Sequence, residues 1–135
     1  MQELAKDFFY LEDPLEENDF QGFKEIKSKA PKSGLIIGDD LTTTNIERVK
    51  AAKSSVNDII IKPNQIGSLI KVKEVIEYCK KNKMKIIFSH RSGETSENIL
   101  ADLAFGFQAD FIKCGVSGKG RDEKLDRLIE IERSL

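Results

Sequence analysis

The sequence predicts an α/β fold of about five parallel βα units, each a short strand followed by a helix. Two features support this fold. The apolar runs are short and do not alternate with polar residues, which is typical of parallel strands covered on both faces. Between these runs, apolar residues recur at helical spacing, as expected for crossover helices that connect parallel strands.

The predicted units follow one another without a linker or low-complexity stretch, so we expect one domain over residues 1–135. Pro14 ends the first strand, and Thr42 to Asn45 supply candidate caps for the second helix. The apolar strand runs are Phe8–Leu11, Gly34–Ile37, Ile59–Ile61, Met84–Phe88 and Phe111–Ile112. The helical stripes contain Phe20, Phe23 and Ile26; Ile46, Val49 and Ala52; Ile66, Leu69, Ile70, Val72, Val75, Ile76 and Cys79; Ile99, Leu100, Leu103, Ala104 and Phe107; and Leu125, Leu128, Ile129 and Leu135.

Composition excludes several classes of protein. The formal net charge is −1, with 33% charged residues of both signs, so no basic surface favours nucleic acid or an anionic membrane. No apolar run approaches the roughly 20 residues of a membrane span. Met1 to Asp7 is polar and acidic, unlike a signal or transit peptide. Cys79 and Cys114 fit neither a zinc motif nor a disulfide framework, which predicts reduced core thiols and a cytoplasmic protein.

Candidate site residues follow the predicted strands. In parallel α/β folds, reactive groups gather at the carboxyl ends of the strands. Here those positions hold Glu12, Asp39, Lys62, the run Ser89–Ser92, and Lys113. Because charged residues are abundant throughout the chain, solvated loop charges are the alternative interpretation.

These residue types suit one kind of chemistry. The carboxylates of Glu12 and Asp39 could hold Mg²⁺, which usually takes one or two carboxylates with waters and substrate oxygens. A neutral Lys62 could abstract a proton near such an ion, and the metal would spread the resulting negative charge. Arg91 offers a two-pronged donor for a phosphate.

The motifs themselves are similar to those of enolase (phosphopyruvate hydratase), in the same order and at matching gaps. The run S-H-R-S-G-E-T at Ser89–Thr95 is the most specific. The others are Tyr10–Leu15, Gly38–Leu41 followed by Thr44 and Asn45, Lys62–Gly67, and Ile112–Gly115. The resemblance covers essentially the whole chain. It implies a partial (β/α) barrel corresponding to the C-terminal half of the enolase barrel.

The resemblance also implies a role for each candidate site residue. It matches Glu12 and Asp39 to two of three Mg²⁺ ligands, and Lys62 to the base that removes the proton α to the carboxylate of 2-phosphoglycerate. It matches Ser89, His90, Arg91 and Ser92 to the loop that binds phosphate and a second metal. Lys113 matches the lysine that contacts the substrate carboxylate.

Some parts of the family's pattern have no match here. These are the capping domain with its mobile loop, the third Mg²⁺ carboxylate, and the glutamates that help expel hydroxide. Pro63 replaces a small aliphatic residue, which we expect to shift the backbone slightly beside Lys62. The segment 115–121 departs from the family and is one residue shorter.

Three functions follow as hypotheses. The chain could contribute to the conversion of 2-phosphoglycerate to phosphoenolpyruvate, with a complementing chain or segment supplying the remainder. Alternatively, it could be a non-catalytic module that binds a phosphorylated metabolite or forms homo-oligomers, because a half-barrel leaves open sheet edges and an exposed apolar face. A third possibility is unrelated lyase or isomerase chemistry that uses Lys62 and a metal held by Glu12 and Asp39.

Overall fold

A computed structural model describes residues 8–135, so the polar residues 1–7 lie outside the described part. Five parallel strands are arranged in chain order, β1-β2-β3-β4-β5. The strands are β1 (Tyr10–Glu12), β2 (Leu35–Gly38), β3 (Asp58–Ile61), β4 (Ile86–Ser89) and β5 (Phe111–Lys113). The helices are α1 (Phe20–Lys29), α2 (Ile46–Ala52), α3 (Pro63–Ile66), α4 (Leu69–Lys81), α5 (Ile99–Gly106) and α6 (Asp122–Ser134). The predicted succession of parallel βα units is confirmed.

The described chain divides into two compact units, one ending at Ile86 and the other comprising Ile87–Leu135. In the first unit, β1 pairs with β2 over three residues, and β2 pairs with β3. In the second unit, β5 pairs with β4, so that Ser89 lies opposite Lys113. Single-domain organisation over 1–135 stays a prediction.

The central strands are buried. Every residue of β3 and β4 is buried, and Leu35 is the only residue of β2 that is partly exposed. Uninterrupted apolar runs such as Ile59–Ile61 are what a parallel strand covered on both faces requires. The exposed apolar face expected of an open half-barrel is therefore absent from β2, β3 and β4.

The helix predicted after β3 is interrupted. Gly67 adopts a left-handed conformation (φ 66°) and ends α3, and the Ser68 side chain then accepts a hydrogen bond from the Lys71 N–H to begin α4. This break turns Leu69 and Ile70 outward, 51% and 82% exposed, although the apolar stripe placed both in the core. The core face of α4 comprises Val72, Val75, Ile76 and Cys79.

Helix α6 also differs from its predicted stripe. Ile129 and Leu135 are exposed, while Ile131 and the lysine at 124 are buried. Within residues 8–135, no helix combines the length and apolar character needed to cross a membrane.

Both cysteines are free and buried, as expected. Burial raises the pKa of Cys79 to about 12 and also raises the pKa of Cys114. Because the thiolate is the reactive form, we expect neither thiol to react with a disulfide reagent such as DTNB at neutral pH. Both should react once urea unfolds the chain. Rapid modification of either cysteine in the native protein would contradict this burial.

Candidate functional site

Asp39 and Lys62 are brought together in the first unit. Asp39 directly follows β2 and Lys62 directly follows β3, and these parallel strands are hydrogen-bonded neighbours. The Lys62 Nζ donates to Asp39 Oδ2 at 2.5 Å, and the two side chains are only 14% and 9% exposed. The contact is possible because both residues follow the carboxyl ends of neighbouring parallel strands, where loops converge.

The other carboxylate oxygen of Asp39, Oδ1, lacks a hydrogen-bond donor among the described residues. Asp39 Oδ1 is buried and accepts no hydrogen bond from the described residues. Burial raises the pKa of Asp39, as do the charges of Glu12 and Asp40, while the hydrogen bond and charge of Lys62 lower it. The net direction is upward, so the ammonium group only partly offsets the cost of burying this carboxylate. Additional positive charge at Oδ1 would stabilise the ionised form.

Glu12 is the last residue of β1 and contributes a second carboxylate. Its Oε2 accepts a hydrogen bond from the Tyr10 hydroxyl at 3.1 Å. Its charge raises the pKa of Asp39 and, after burial, is the largest cause of the raised pKa of Tyr10. The charge of Glu12 therefore disfavours ionisation of Asp39, the other predicted metal ligand.

Asp13 fixes the backbone that carries Asp39. The Asp39 N–H donates to Asp13 Oδ1 at 2.9 Å, and the Asp40 N–H donates to Oδ2 at 2.5 Å. Asp13 itself has a positive φ of 36°. In the sequence, Asp13 stands out only as part of the motif at Tyr10–Leu15, and no pattern signals this role.

Thr44 fixes the backbone that carries Lys62. Its Oγ1 accepts from the Lys62 N–H at 2.9 Å and hydrogen-bonds the Gln65 side chain at 3.2 Å. Thr43 and Thr44 have φ values of 46° and 52°, a conformation that β-branched residues rarely adopt. Such strain persists where surrounding contacts enforce it and is concentrated at functional sites. In the sequence, Thr44 is a candidate helix cap and part of the motif that begins at Gly38; the Asn45 side chain performs the capping role.

Pro63 takes a position that suits proline. It is the first residue of α3, where the missing N–H leaves no hydrogen bond unmade. The local geometry therefore accommodates proline after Lys62.

In the second unit, Ser89 and His90 lie beside Lys113. Ser89 is buried at the end of β4, and its Oγ donates to the His90 carbonyl at 3.0 Å. The His90 N–H donates to the Lys113 carbonyl at 3.2 Å. Arg91 and Ser92 lie exposed in the following loop. The pairing of β4 and β5 thus brings the phosphate-loop candidates next to the predicted carboxylate-binding lysine.

The acidic residues suit an incomplete magnesium site. Among residues 8–135, no group of three or more histidine, cysteine, aspartate or glutamate side chains is arranged to hold a metal. Glu12 and Asp39, with the unsatisfied Asp39 Oδ1, match an ion that completes its shell with waters and substrate oxygens. They do not make a closed protein cage.

Comparisons with known proteins all find similarity to enolases. A family model described as "Enolase, C-terminal TIM barrel domain" matches residues 1–135. The enolase of Sulfurisphaera tokodaii is 53% identical over 126 residues, which is 91% of this chain and 30% of that protein. The enolase of Methanosphaera stadtmanae is 48% identical over 130 residues, 95% of this chain and 31% of that protein.

The chain spans about a third of the length of the curated relatives it matches. Its five parallel βα units and its full-length match to the family model agree with each other. The chain belongs to the family of the enolase C-terminal TIM barrel domain.

Proposed function

We propose that this chain supplies part of the active site for the reversible dehydration of 2-phosphoglycerate to phosphoenolpyruvate. The observation that carries the proposal is the contact between Lys62 Nζ and Asp39 Oδ2, 2.5 Å apart and mostly shielded from water. Lys62 lies next to the buried Asp39 carboxylate, which additional positive charge would stabilise. This arrangement is the one expected for proton abstraction beside a bound cation. The family membership supports the choice of substrate.

Lys62 would act as the general base. Its amine must lose a proton before it can accept the one α to the substrate carboxylate. Asp39 holds that amine in place, and the hydrogen bond from the Lys62 N–H to Thr44 fixes the backbone from which the side chain extends. The base is therefore positioned from both ends before substrate binds.

Glu12 and Asp39 would hold Mg²⁺, with water and substrate oxygens as the remaining ligands. When bound, the ion would neutralise negative charge on the substrate carboxylate as the proton leaves.

In the second unit, Arg91 and Ser92 would bind the phosphate, with Ser89 and His90 shaping the loop. Arg91 is suited to this because its guanidinium donates two parallel hydrogen bonds to phosphate oxygens. Lys113 would pair with the substrate carboxylate and the developing enolate charge. The residues that expel hydroxide would come from a complementing segment.

The test is a chimaera in which this chain replaces the matching segment of a related enolase. We expect it to form phosphoenolpyruvate, detected by the ultraviolet absorbance of the product. Activity should disappear with EDTA and return with Mg²⁺. The isolated chain should be inactive and should gain activity when the preceding segment of that enolase is added. A folded chimaera without activity would overturn the proposal.

The end strands support a complementing chain or a second copy as partner. β1 and β5 are the end strands of the sheet order, and each carries or adjoins an exposed aromatic side chain. Phe9 is 61% exposed beside β1, and Phe111 is 40% exposed in β5. A strand at the end of a sheet readily pairs with a further strand.

The exposed aromatic side chains at the end strands also favour the alternative of a non-catalytic module that binds a phosphorylated metabolite or forms homo-oligomers. The mass in solution, measured with and without the complementing segment, distinguishes a homo-oligomer of this chain from a complex with that segment. A cytoplasmic location fits a phosphorylated three-carbon acid as substrate and the two reduced thiols.

A further inference from the structure

Lys124 is a buried lysine whose ammonium group is fully satisfied. It lies in the first turn of α6 and is 1% exposed. Its Nζ donates to the carbonyls of Thr95 at 3.0 Å, Glu97 at 2.8 Å and Gly120 at 2.7 Å. An ammonium group has three donors, and lysine is almost never fully buried without partners. These three hydrogen bonds account for the burial.

The three carbonyls belong to two different loops of the second unit. Thr95 and Glu97 lie in the loop between β4 and α5 (residues 90–98), and Gly120 lies in the loop between β5 and α6 (residues 114–121). We call these the β4 loop and the β5 loop. Lys124 therefore joins two segments that are separated in sequence by all of α5 and β5.

One further contact joins the same loops independently of Lys124. Gly120 has a φ of +80°, and a Cβ there would lie 3.2 Å from the Thr95 carbonyl oxygen and 3.3 Å from that of Glu94. The backbones of the two loops thus touch where Lys124 connects them.

Both loops begin at predicted substrate-binding residues. Arg91 and Ser92 open the β4 loop, and Lys113 immediately precedes the β5 loop. The loops are joined at their beginnings by the His90 N–H, which donates to the Lys113 carbonyl. Lys124 joins them at their far ends. Each loop is therefore constrained at both ends relative to the other.

We propose that Lys124 is a positioning residue of the phosphate-binding site, which fixes the β4 loop against the β5 loop and so sets Arg91 relative to Lys113. This inference rests on the proposed function for its ligand. Lys124 does not touch the substrate. Its effect passes through backbone carbonyls, so the length of the side chain and its charge are both required.

The test compares Lys124→Met with Lys27→Met in the full chain. Lys27 is a matched control because its Nζ also donates to backbone carbonyls, those of Val56 and Lys53, but in the first unit. Hydrogen exchange read by mass spectrometry reports on each loop without any ligand. Calorimetric titration with 2-phosphoglycerate reports on the site.

We expect Lys124→Met to accelerate exchange in peptides covering 90–98 and 114–121, with little change in β2 and β3. The affinity for 2-phosphoglycerate should fall by about tenfold or more, because loops that are no longer held in place must be ordered when the ligand binds. Lys27→Met should leave loop exchange and affinity unchanged, even if it lowers the melting temperature.

Three results would overturn the proposal: unchanged loop exchange in a folded Lys124→Met, unchanged affinity, or an equal loss of affinity in Lys27→Met. If Lys124→Met does not fold, Gly120→Ala perturbs the same junction, since its Cβ would press on the Thr95 carbonyl. It should loosen the same two loops, and loops as protected as in the wild type would overturn the proposal. If wild-type chain binds no phosphate ester, the proposed function fails, and the exchange data still decide whether Lys124 holds the loops.

Discussion

Lys62→Met is expected to lower turnover of the chimaeric enzyme by about 10²–10⁴-fold, the range that a general base contributes. Methionine keeps an unbranched apolar stem but removes the amine that accepts the proton. It also leaves the buried Asp39 carboxylate without its ammonium partner. The loss should appear in kcat, with a smaller effect on KM, because the lysine acts mainly in the transition state.

Lys71→Met is the matched control, since Lys71 lies exposed on α4 of the same unit. It should retain wild-type turnover. Circular dichroism should show that both variants fold. A folded Lys62→Met chimaera with more than about a tenth of wild-type turnover would argue against general-base catalysis by this residue.

Phe88→Ala is expected to reduce the free energy of unfolding by about 3–5 kcal/mol, the usual cost of deleting a buried phenyl group. Phe88 is fully buried in β4, and its ring stacks on Phe107 with centroids 6.0 Å apart and an interplanar angle of 13°. The truncation therefore creates a cavity and removes an aromatic contact. Because small domains are stable by only about 5–15 kcal/mol, this is a large fraction of the total.

Phe105→Ala provides the comparison, because Phe105 lies on α5 of the same unit and is 47% exposed. Its effect should stay within about 0.5 kcal/mol. Urea denaturation followed by circular dichroism measures both changes. Equal midpoints for the two variants would show that Phe88 does not lie in a packed core.

Much of the fold could be predicted because burial leaves a simple pattern. Ile59–Ile61 is buried on both faces and is therefore apolar without alternation. The break between α3 and α4 was missed because the apolar residues continue across it, although Gly67 and Ser68 are the residues that end and begin helices. Once the helix restarts, its helical phase changes, and Leu69 and Ile70 face outward.

The contact between Asp39 and Lys62 was predictable, because both residues follow the ends of neighbouring parallel strands. The supporting residues were not, because their partners are backbone groups. Asp13 binds the N–H groups of Asp39 and Asp40, and Thr44 binds the N–H of Lys62. A side chain that binds distant backbone leaves no periodicity in the sequence. Lys124 was missed for the same reason, since a lysine on a polar helix is normally solvated.

Pro63 gives the site an entropic advantage. A proline disfavours helical backbone in the residue before it and holds that residue extended. Lys62 has φ −118° and ψ 95°, so its native backbone is one that Pro63 already favours in the unfolded chain. Fewer backbone states are then lost when the chain orders the base. Pro63 thus stiffens the peptide from which Lys62 extends.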